Sequence, residues 1–164
     1  MFRSMNYAYL LIGGNIGDRI ENLRKTRAFI ARSCGRILRE SAIYETSAWG
    51  KTDQADFLNQ ALRVETELAP TLLLRKILEI EQELGRFRGE KFGPRIMDID
   101  IILYNSEIIN LPSLTVPHPH MQNRRFVMAP MAEIAPSIVH PILGKTMAEL
   151  LMVCPDQLAV DKKS

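Results

Sequence analysis

Two aspartates, Asp98 and Asp100, stand two residues apart in the apolar stretch Met97-Asp98-Ile99-Asp100-Ile101-Ile102-Leu103. On a β-strand, both carboxylates project from the same face, roughly 6.5–7 Å apart along it. Like charges in apolar surroundings repel each other and lose hydration unless a cation lies between them. Because oxygen ligands without histidine or thiolate favour Mg²⁺ or Mn²⁺, the pair predicts a metal site of the kind used in phosphoryl transfer. The spacing alone is a weak motif, and salt bridges to nearby arginines are the alternative interpretation.

Four cations precede this pair in the loop that follows Gly85, and they are Arg86, Arg88, Lys91 and Arg95. Arginine side chains bind phosphate oxygens with paired hydrogen bonds, and they can stabilise charge as a phosphoryl or diphosphoryl group leaves. A polyphosphate between this loop and bound metal ions would be neutralised from both sides. A solvated surface loop is the alternative, although two glycines and a proline in the loop indicate a shaped, movable segment.

A third polar cluster follows the aspartates at residues 117–126 and contains His118, His120 and Arg124. A zinc site here would need further soft ligands, and the sequence offers only the distant His140. We therefore expect hydrogen bonding to phosphate from this cluster rather than metal ligation. For His120 we expect a structural role.

A glycine-rich segment, Gly13-Gly14-Asn15-Ile16-Gly17-Asp18, lies near the amino terminus. It lacks the Lys-Ser/Thr pair of a P-loop, and its glycines do not have the GxGxxG spacing. We interpret it mainly as turn chemistry.

Two aromatic residues, Trp49 and Phe57, occur close in sequence to the polar residues Thr46 and Asn59. Such a set could enclose a flat heterocycle and form hydrogen bonds with its edge. Positions in the hydrophobic core are the alternative for both rings, and from the residues alone they are the better interpretation.

The elements that must position these residues alternate between strands and helices. Strands are predicted at 7–12, 37–44, 58–66, 96–104 and 107–109, with the third half-exposed and the last two forming a hairpin. A helix begins at Asp18, carries Ile20, Leu23 and Ile30 at near-helical spacing, and ends before Gly35. Further helices are predicted at 70–84, 123–131 and 146–153. This order favours an α+β sandwich, in which helices cover a mainly antiparallel sheet, over a small doubly wound fold.

Composition limits the classes of function. The 164 residues, 46% of them hydrophobic, predict a single domain over 1–164 that buries its own core. A formal net charge of +2 is too near balance for wholesale binding to nucleic acid or an anionic membrane. The two cysteines form no CxxC motif, and no signal peptide or membrane span is apparent, so we expect a reduced, cytoplasmic protein.

Taken together, these segments resemble the 6-hydroxymethyl-7,8-dihydropterin pyrophosphokinase family from Tyr9 to about Pro136. The resemblance implies a ferredoxin-like α+β fold and the transfer of a diphosphate from ATP to the pterin hydroxyl, giving AMP and the pterin diphosphate in folate synthesis. It implies two Mg²⁺ ions and ATP as co-substrate. We expect small-molecule partners only and a monomer. The residues that carry it are Ile12-Gly-Gly-Asn-Ile-Gly-Asp-Arg19, Asn22-Leu23, Tyr44-Glu-Thr-Ser-Ala-Trp-Gly50, Asp53-Gln-Ala-Asp-Phe-Leu-Asn59, Ile80-Glu-Gln-Glu-Leu-Gly-Arg86, Gly93-Pro-Arg-Ile-Met-Asp-Ile-Asp100, Val116-Pro-His-Pro119, Arg124 and Phe126.

The resemblance also implies a role for individual residues. Asp98 and Asp100 would bridge both metal ions and, with Arg86 and Arg95, act in catalysis. The positions implied around ATP are Glu81, Arg88, Lys91, Ile99, His118 and Arg124. Those implied around the pterin are Thr46, Ser47, Trp49, Phe57, Asn59, Phe92 and Phe126.

Three positions depart from the family pattern: Gly14 replaces a usual serine, Phe92 a usual tryptophan and Ser47 a common proline. None of these changes removes a charge or a metal ligand. Phe92 keeps an aromatic face but lacks the indole donor, which bears on pterin affinity more than on the reaction.

Two rival functions are weighed against this one. A ferredoxin-like module that binds RNA or a free nucleotide would show interleaved cations, glycines and aromatics on adjacent strands, and this pattern is missing. A DxD nucleotide-sugar transferase is the other rival, and the chain is short for that class.

Overall fold

The computed structural model describes residues 5–47, 55–85 and 96–163. The strands are β1 (Asn6–Gly14), β2 (Arg36–Glu40), β3 (Tyr44–Thr46), β4 (Phe57–Thr66), β5 (Asp98–Tyr104), β6 (Ile109–Leu111), β7 (Leu114–Val116) and β8 (Val160–Lys162). The α-helices are α1 (Arg19–Ser33), α2 (Pro70–Glu83), α3 (Arg125–Ile134) and α4 (Met147–Met152), and a 3₁₀ turn covers Met121–Asn123.

One six-stranded sheet organises these elements in the order β5-β1-β4-β3-β8, with β2 also paired to β4. The strand pairs in this sheet are antiparallel. The predicted α+β sandwich with a mainly antiparallel sheet is therefore confirmed, and the doubly wound alternative is wrong, because that fold needs parallel strands.

Helices cover both faces of the sheet. Side chains of α1 and α2 pack with Leu10, Ile12, Ile99 and Ile101 in one cluster of buried residues. Side chains of α3 and α4 pack in a second cluster, which includes Leu11 of β1. Since neighbouring residues of β1 contribute to opposite clusters, the strand is buried on both sides.

The ends of the first two long helices follow local signals. The Asp18 side chain accepts a hydrogen bond from the Glu21 backbone N–H at 3.1 Å and caps α1. Pro70 is the first residue of α2, and Gly85, with φ +84°, follows its end. Both predicted helices are confirmed, although Ile20 is 54% exposed and lies off the buried face of α1.

Two strand predictions in the six-stranded sheet need correction, and one of its strands has no counterpart among the predictions. The strand predicted at 37–44 is divided into β2 and β3 around Ser41, whose Oγ accepts a hydrogen bond from the Ala61 backbone N–H at 2.9 Å. The strand at 58–66, predicted half-exposed, is mostly buried because helices lie on both faces of the sheet. β8, which pairs with β3, was not predicted.

The predicted hairpin after β5 is wrong, although its turn at Asn105 is present. Asn105 exchanges hydrogen bonds with Tyr7 of β1, from backbone N to backbone O at 2.8 Å and from Tyr7 N to Asn105 Oδ1 at 2.9 Å. The turn is therefore bound to β1, and the next strand, β6, pairs with β7 in a separate two-stranded sheet.

The longest described helix, α1, has 15 residues. Within the three described ranges, no helix combines the length and the apolar character needed to cross a membrane.

Candidate active site

The candidate site lies where β1 ends and β5 begins. Gly13 of β1 pairs with Asp98 of β5 on one side and with Asn59 of β4 on the other, and Asn59 pairs in turn with Tyr44 of β3. Because paired strands lie about 5 Å apart, the Asp98 and Asn59 backbones are about 10 Å apart across Gly13. Residues that are 39 positions apart in sequence thus form one row across the sheet.

The two aspartates share a face of β5, as their spacing predicts. Ile99 and Ile101 pack into the α1–α2 cluster, so the alternation of the strand directs Asp98 and Asp100 to the opposite face, on which α3 packs. Asp98 is half-buried and Asp100 is exposed. A pair of oxygen donors is thereby presented to solvent at the rim of the sheet.

The backbone between the aspartates is held by Glu81 of α2. Glu81 is only 4% exposed, and its Oε2 accepts a hydrogen bond from the Ile99 N–H at 2.8 Å. Among the described strands of the sheet, β5 is at the edge next to β1, so this carboxylate occupies a backbone donor on the outer edge of β5. The structure therefore links Glu81 directly to the strand that carries both aspartates.

The side chain of Asn59 lies against Gly13. A Cβ atom added at Gly13 would be 2.2 Å from Asn59 Oδ1 and 2.6 Å from the Leu58 backbone oxygen. Only a residue without a side chain allows this approach. Asn59 is 7% exposed, and its side chain lies next to Gly13, the residue that pairs with Asp98.

Thr46 and Phe57 lie beside this row, because they are register partners at the adjoining ends of β3 and β4. Thr46 is 4% exposed, Phe57 is half-buried and Ser47 is exposed. The structure thus brings Thr46, Phe57 and Asn59 together at one end of the sheet, whereas Trp49 lies outside the described residues.

His118 is tied to the aspartate strand by its backbone, since its N–H donates to the Ile102 carbonyl at 3.0 Å. Its Nδ1 accepts from the His120 backbone N–H at 3.4 Å, which leaves Nε2 to carry the ring proton. Burial, with smaller effects from Arg124 and His120, lowers the pKa of His118 to about 4. His118 is therefore a neutral Nε2–H donor at physiological pH.

Arg124 and Phe126 lie at the start of α3. The guanidinium carbon of Arg124 is 5.8 Å from the centroid of the Phe126 ring, within the range of a cation–π contact. Both side chains are half-buried. The third cluster of the sequence thus supplies a cation, a neutral donor and an aromatic face next to β5.

Six predicted site residues fall in the ranges 48–54 and 86–95, between the described parts of the chain. Arg86, Arg88, Lys91, Phe92 and Arg95 lie outside the described residues, as does Trp49. In the described part of the chain, no three His, Cys, Asp or Glu side chains gather into a group that could hold a metal ion. In that part, Asp98 and Asp100 are the predicted ligands, without a third protein ligand.

Sequence reasoning missed the role of the glycine-rich segment. It was interpreted as turn chemistry, yet Gly13 accommodates Asn59, and Asn15 Nδ2 donates to the Ala55 carbonyl at 2.9 Å. The sequence offered one signal for this role, because the segment follows the end of a predicted strand and the aspartate pair lies at the start of another. Without the register of the two strands, that signal could not be used.

Comparison with known proteins gives the family. The model of the 7,8-dihydro-6-hydroxymethylpterin-pyrophosphokinase family matches residues 9–136. The chain belongs to this pyrophosphokinase family. The resemblance noted in the sequence is confirmed, and with it the assignment of the chain as an enzyme of the pyrophosphokinase step of folate synthesis.

Individual relatives agree with the family model. The chain is 42% identical over 145 residues to the 2-amino-4-hydroxy-6-hydroxymethyldihydropteridine pyrophosphokinase of Aquifex aeolicus, covering 88% of this chain and 90% of the relative. It is 46% identical over 134 residues to the enzyme of the same name from Bacillus subtilis, covering 81% and 80%.

Among solved structures, the fold is similar to Plasmodium falciparum HPPK-DHPS in its crystal structure with pteroate, with a TM-score of 0.75 and 17% identity. The match covers 93% of this chain and 43% of the Plasmodium chain, so the present chain spans less than half of that protein. At this identity the likeness concerns the fold alone.

Replacing Gly13 with alanine tests the close contact with Asn59. The new methyl group would overlap a backbone oxygen, so we expect the free energy of unfolding to fall by about 1–3 kcal/mol in urea titrations. Gly144→Ala measures the separate cost of a left-handed backbone, because Gly144 has φ +70° and nothing within 4 Å of an added Cβ. A Gly13→Ala protein that is as stable as the wild type would contradict the contact.

The lowered pKa of His118 predicts a pH effect on stability. The folded protein binds fewer protons than the unfolded chain between about pH 6.5 and the folded pKa of about 4. The stabilisation is therefore complete above about pH 6.5 and is lost as pH falls towards 4. In urea unfolding across this range, His118→Gln should flatten the pH dependence, while His120→Gln serves as control. An NMR titration of His118 with a midpoint near 6.5 would contradict this.

Proposed function

We propose that this chain transfers the terminal diphosphate of ATP to the hydroxymethyl group of 6-hydroxymethyl-7,8-dihydropterin, giving AMP and the pterin diphosphate. The observation that carries the proposal is the row in which Asn59 and Asp98 flank Gly13. It places an amide and a carboxylate pair on the same face at one end of the sheet, with Gly13 between their backbones. Membership of the pyrophosphokinase family supports the same reaction.

Asp98 and Asp100 are the proposed metal ligands. The donor set fits magnesium, because both ligands are carboxylates on one face and the described residues add no histidine or thiolate to them. Such sites complete their coordination with water and substrate phosphates. Two Mg²⁺ ions, when bound, would neutralise the triphosphate and orient its β-phosphorus for displacement.

On the nucleotide side, His118 offers a neutral Nε2–H to a phosphate oxygen and Arg124 offers a full charge. We assign Arg86, Arg88, Lys91 and Arg95 to the same polyphosphate, by the family resemblance and by their cationic character. Glu81 and Ile99 belong to the nucleotide side of the site as well. The hydrogen bond between them keeps the backbone of β5 in place between the two aspartates.

On the acceptor side, Asn59 and Thr46 supply the amide and hydroxyl groups that bind the edge of the pterin. Phe57 and Phe126 supply aromatic faces for the ring. Ser47, Trp49 and Phe92 complete the proposed pocket by family resemblance, and the last two lie outside the described residues.

In the proposed reaction, the pterin hydroxyl oxygen attacks the β-phosphorus in line with the bond to the departing AMP oxygen. A new O–P bond forms as the bond to AMP breaks, and the hydroxyl proton passes to water. The protein contributes mainly position and charge neutralisation, which can account for most of the rate enhancement in phosphoryl transfer.

We further propose that the chain acts as a single domain, 1–164, that is monomeric, cytoplasmic and specific for small molecules. The continuity of the sheet supports one domain, since β8 near the carboxyl end pairs with β3. Cys34 and Cys154 are buried free thiols, which suits a reducing compartment.

The identity of the nucleotide product tests the proposed reaction. Purified protein is incubated with ATP, Mg²⁺ and the hydroxymethyl dihydropterin, and the nucleotides are separated by chromatography. We expect AMP in equal amount to the pterin diphosphate, and no AMP when the pterin is omitted or EDTA is added. ADP as the product would show transfer of one phosphate and would contradict the proposal.

Asp98→Asn and Asp100→Asn test the metal assignment while conserving side-chain shape. Each should lower kcat by roughly 10²–10³-fold or more, because a charge that stabilises the transition state is lost. Glu79→Gln is the matched control, since it removes an exposed carboxylate from the outer face of α2. A near-normal rate in either aspartate variant, with circular dichroism unchanged, would refute the assignment.

A further inference from the structure

Arg19, the first residue of α1, joins the ends of two strands. Its Nη1 donates to Glu45 Oε2 of β3 at 2.6 Å and to the Asp56 carbonyl, just before β4, at 2.8 Å. The side chains of Arg19 and Glu45 are 30% and 18% exposed, so the pair is partly shielded from water. A hydrogen bond between a guanidinium and a carboxylate is stronger than one between neutral groups.

Lys163, which follows β8, makes a second contact with Glu45. Lys163 Nζ lies 2.8 Å from Glu45 Oε1, and the Lys163 backbone N–H donates to the Ile43 carbonyl at 2.7 Å. The contacts of Lys163 and Arg19 lower the pKa of Glu45, which stays ionised between two cations. Glu45 is thereby held from α1 and from the end of the chain.

Ala55, the residue before Asp56, is also held by a side chain. Asn15, 5% exposed, donates through Nδ2 to the Ala55 carbonyl at 2.9 Å. Two successive carbonyls that lead into Phe57 are thus bound by side chains, one from Asn15 after β1 and one from Arg19 at the start of α1.

Short strands need such support. β3 has three residues and pairs with β4 through three residue pairs, the last of which joins Thr46 to Phe57. β3 is also paired with β8, from Tyr44 to Thr46, and the pairing of β4 with β1 ends at Leu58. Thr46 and Phe57 therefore lie at the ends of their ladders, where strands fray unless further contacts hold them. Arg19 provides a contact to each of them.

We propose that Arg19 is a positioning residue for the acceptor pocket, because it fixes the end of β3 to the start of β4 and so sets the place of Thr46 and Phe57. Arg19 acts through Glu45 and the Asp56 carbonyl, without touching the substrate. The inference rests on the proposed function, in which Thr46 and Phe57 contact the pterin.

The test separates pterin binding from nucleotide binding. In Arg19→Gln, the KM for the pterin should rise about tenfold, because the substitution removes the charge-assisted hydrogen bonds from Arg19 to the ends of β3 and β4. The KM for ATP and kcat should change less than about twofold, since the hydrogen bonds of Arg19 go to Glu45 and the Asp56 carbonyl and not to β5. Arg19→Lys keeps the charge and should restore part of the pterin affinity.

Arg24→Gln is the matched control on the same helix. Arg24 pairs with Glu21 three residues earlier on the solvent side of α1, and its side chain is 60% exposed. The substitution removes an arginine ion pair of the same kind but leaves both strand ends untouched, so all three kinetic constants should remain at wild-type values.

Calorimetric titration of the pterin, in the presence of a non-hydrolysable ATP analogue, gives a readout without turnover. A tenfold weaker Kd in Arg19→Gln supports the proposal. An unchanged Kd with a lowered unfolding midpoint would show a structural role only and would overturn it. If the wild type binds pterin but forms no AMP, the proposed reaction fails while this inference is still decided by the Kd; if the wild type does not bind pterin, both fail.

Discussion

The antiparallel register of β1 with both of its neighbours is the constraint on which the site depends. It sets Asp98 on one side of Gly13 and Asn59 on the other. A shift of one residue in either pairing would turn these side chains to the opposite face, against α1 and α2. The apolar residues that alternate with them are buried in two separate clusters, so the hydrophobic effect opposes such a shift on both faces of the sheet.

Polar contacts from outside the sheet then hold the strands of the site. Glu81 binds the outer edge of β5, and the backbone of His118 binds the Ile102 carbonyl of the same strand. On the other side, Glu133 of α3 accepts hydrogen bonds from the Tyr44 hydroxyl at 2.6 Å and from the Ala42 N–H at 3.0 Å. These contacts connect the layer that carries Arg124 and Phe126 to the strands of the acceptor pocket.

Gly13, Asn15 and Asp18 of the glycine-rich segment differ in type because each makes a different contact. Gly13 removes a side chain where Asn59 must approach, while Asn15 supplies an amide to the Ala55 carbonyl. Asp18 caps α1, and Arg19 begins the helix with a cation that reaches two strand ends. The segment does not form a phosphate-binding loop. It contributes to the site by holding other residues in position.

The sequence by itself determined the local features of the protein. Periodic apolar residues with Asp18, Pro70 and Gly85 located α1 and α2, and alternation placed the two aspartates on one face of a strand. The order of its motifs was sufficient to indicate the family. These features depend on residues close together in the chain, whose spacing reports the period of a helix or strand directly.

Only the tertiary structure decided the contacts between distant segments. Arg19 and Glu45 are 26 residues apart, Glu81 and Ile99 are 18 apart, and Asn105 and Tyr7 are 98 apart. The Asn105–Tyr7 contact binds the turn after β5 to β1, where a hairpin was predicted. β4, predicted to be half-exposed, is mostly buried because helices cover both faces of the sheet. Such outcomes follow from strand register and from which helices cover each face, and neither is encoded in the spacing of neighbouring residues.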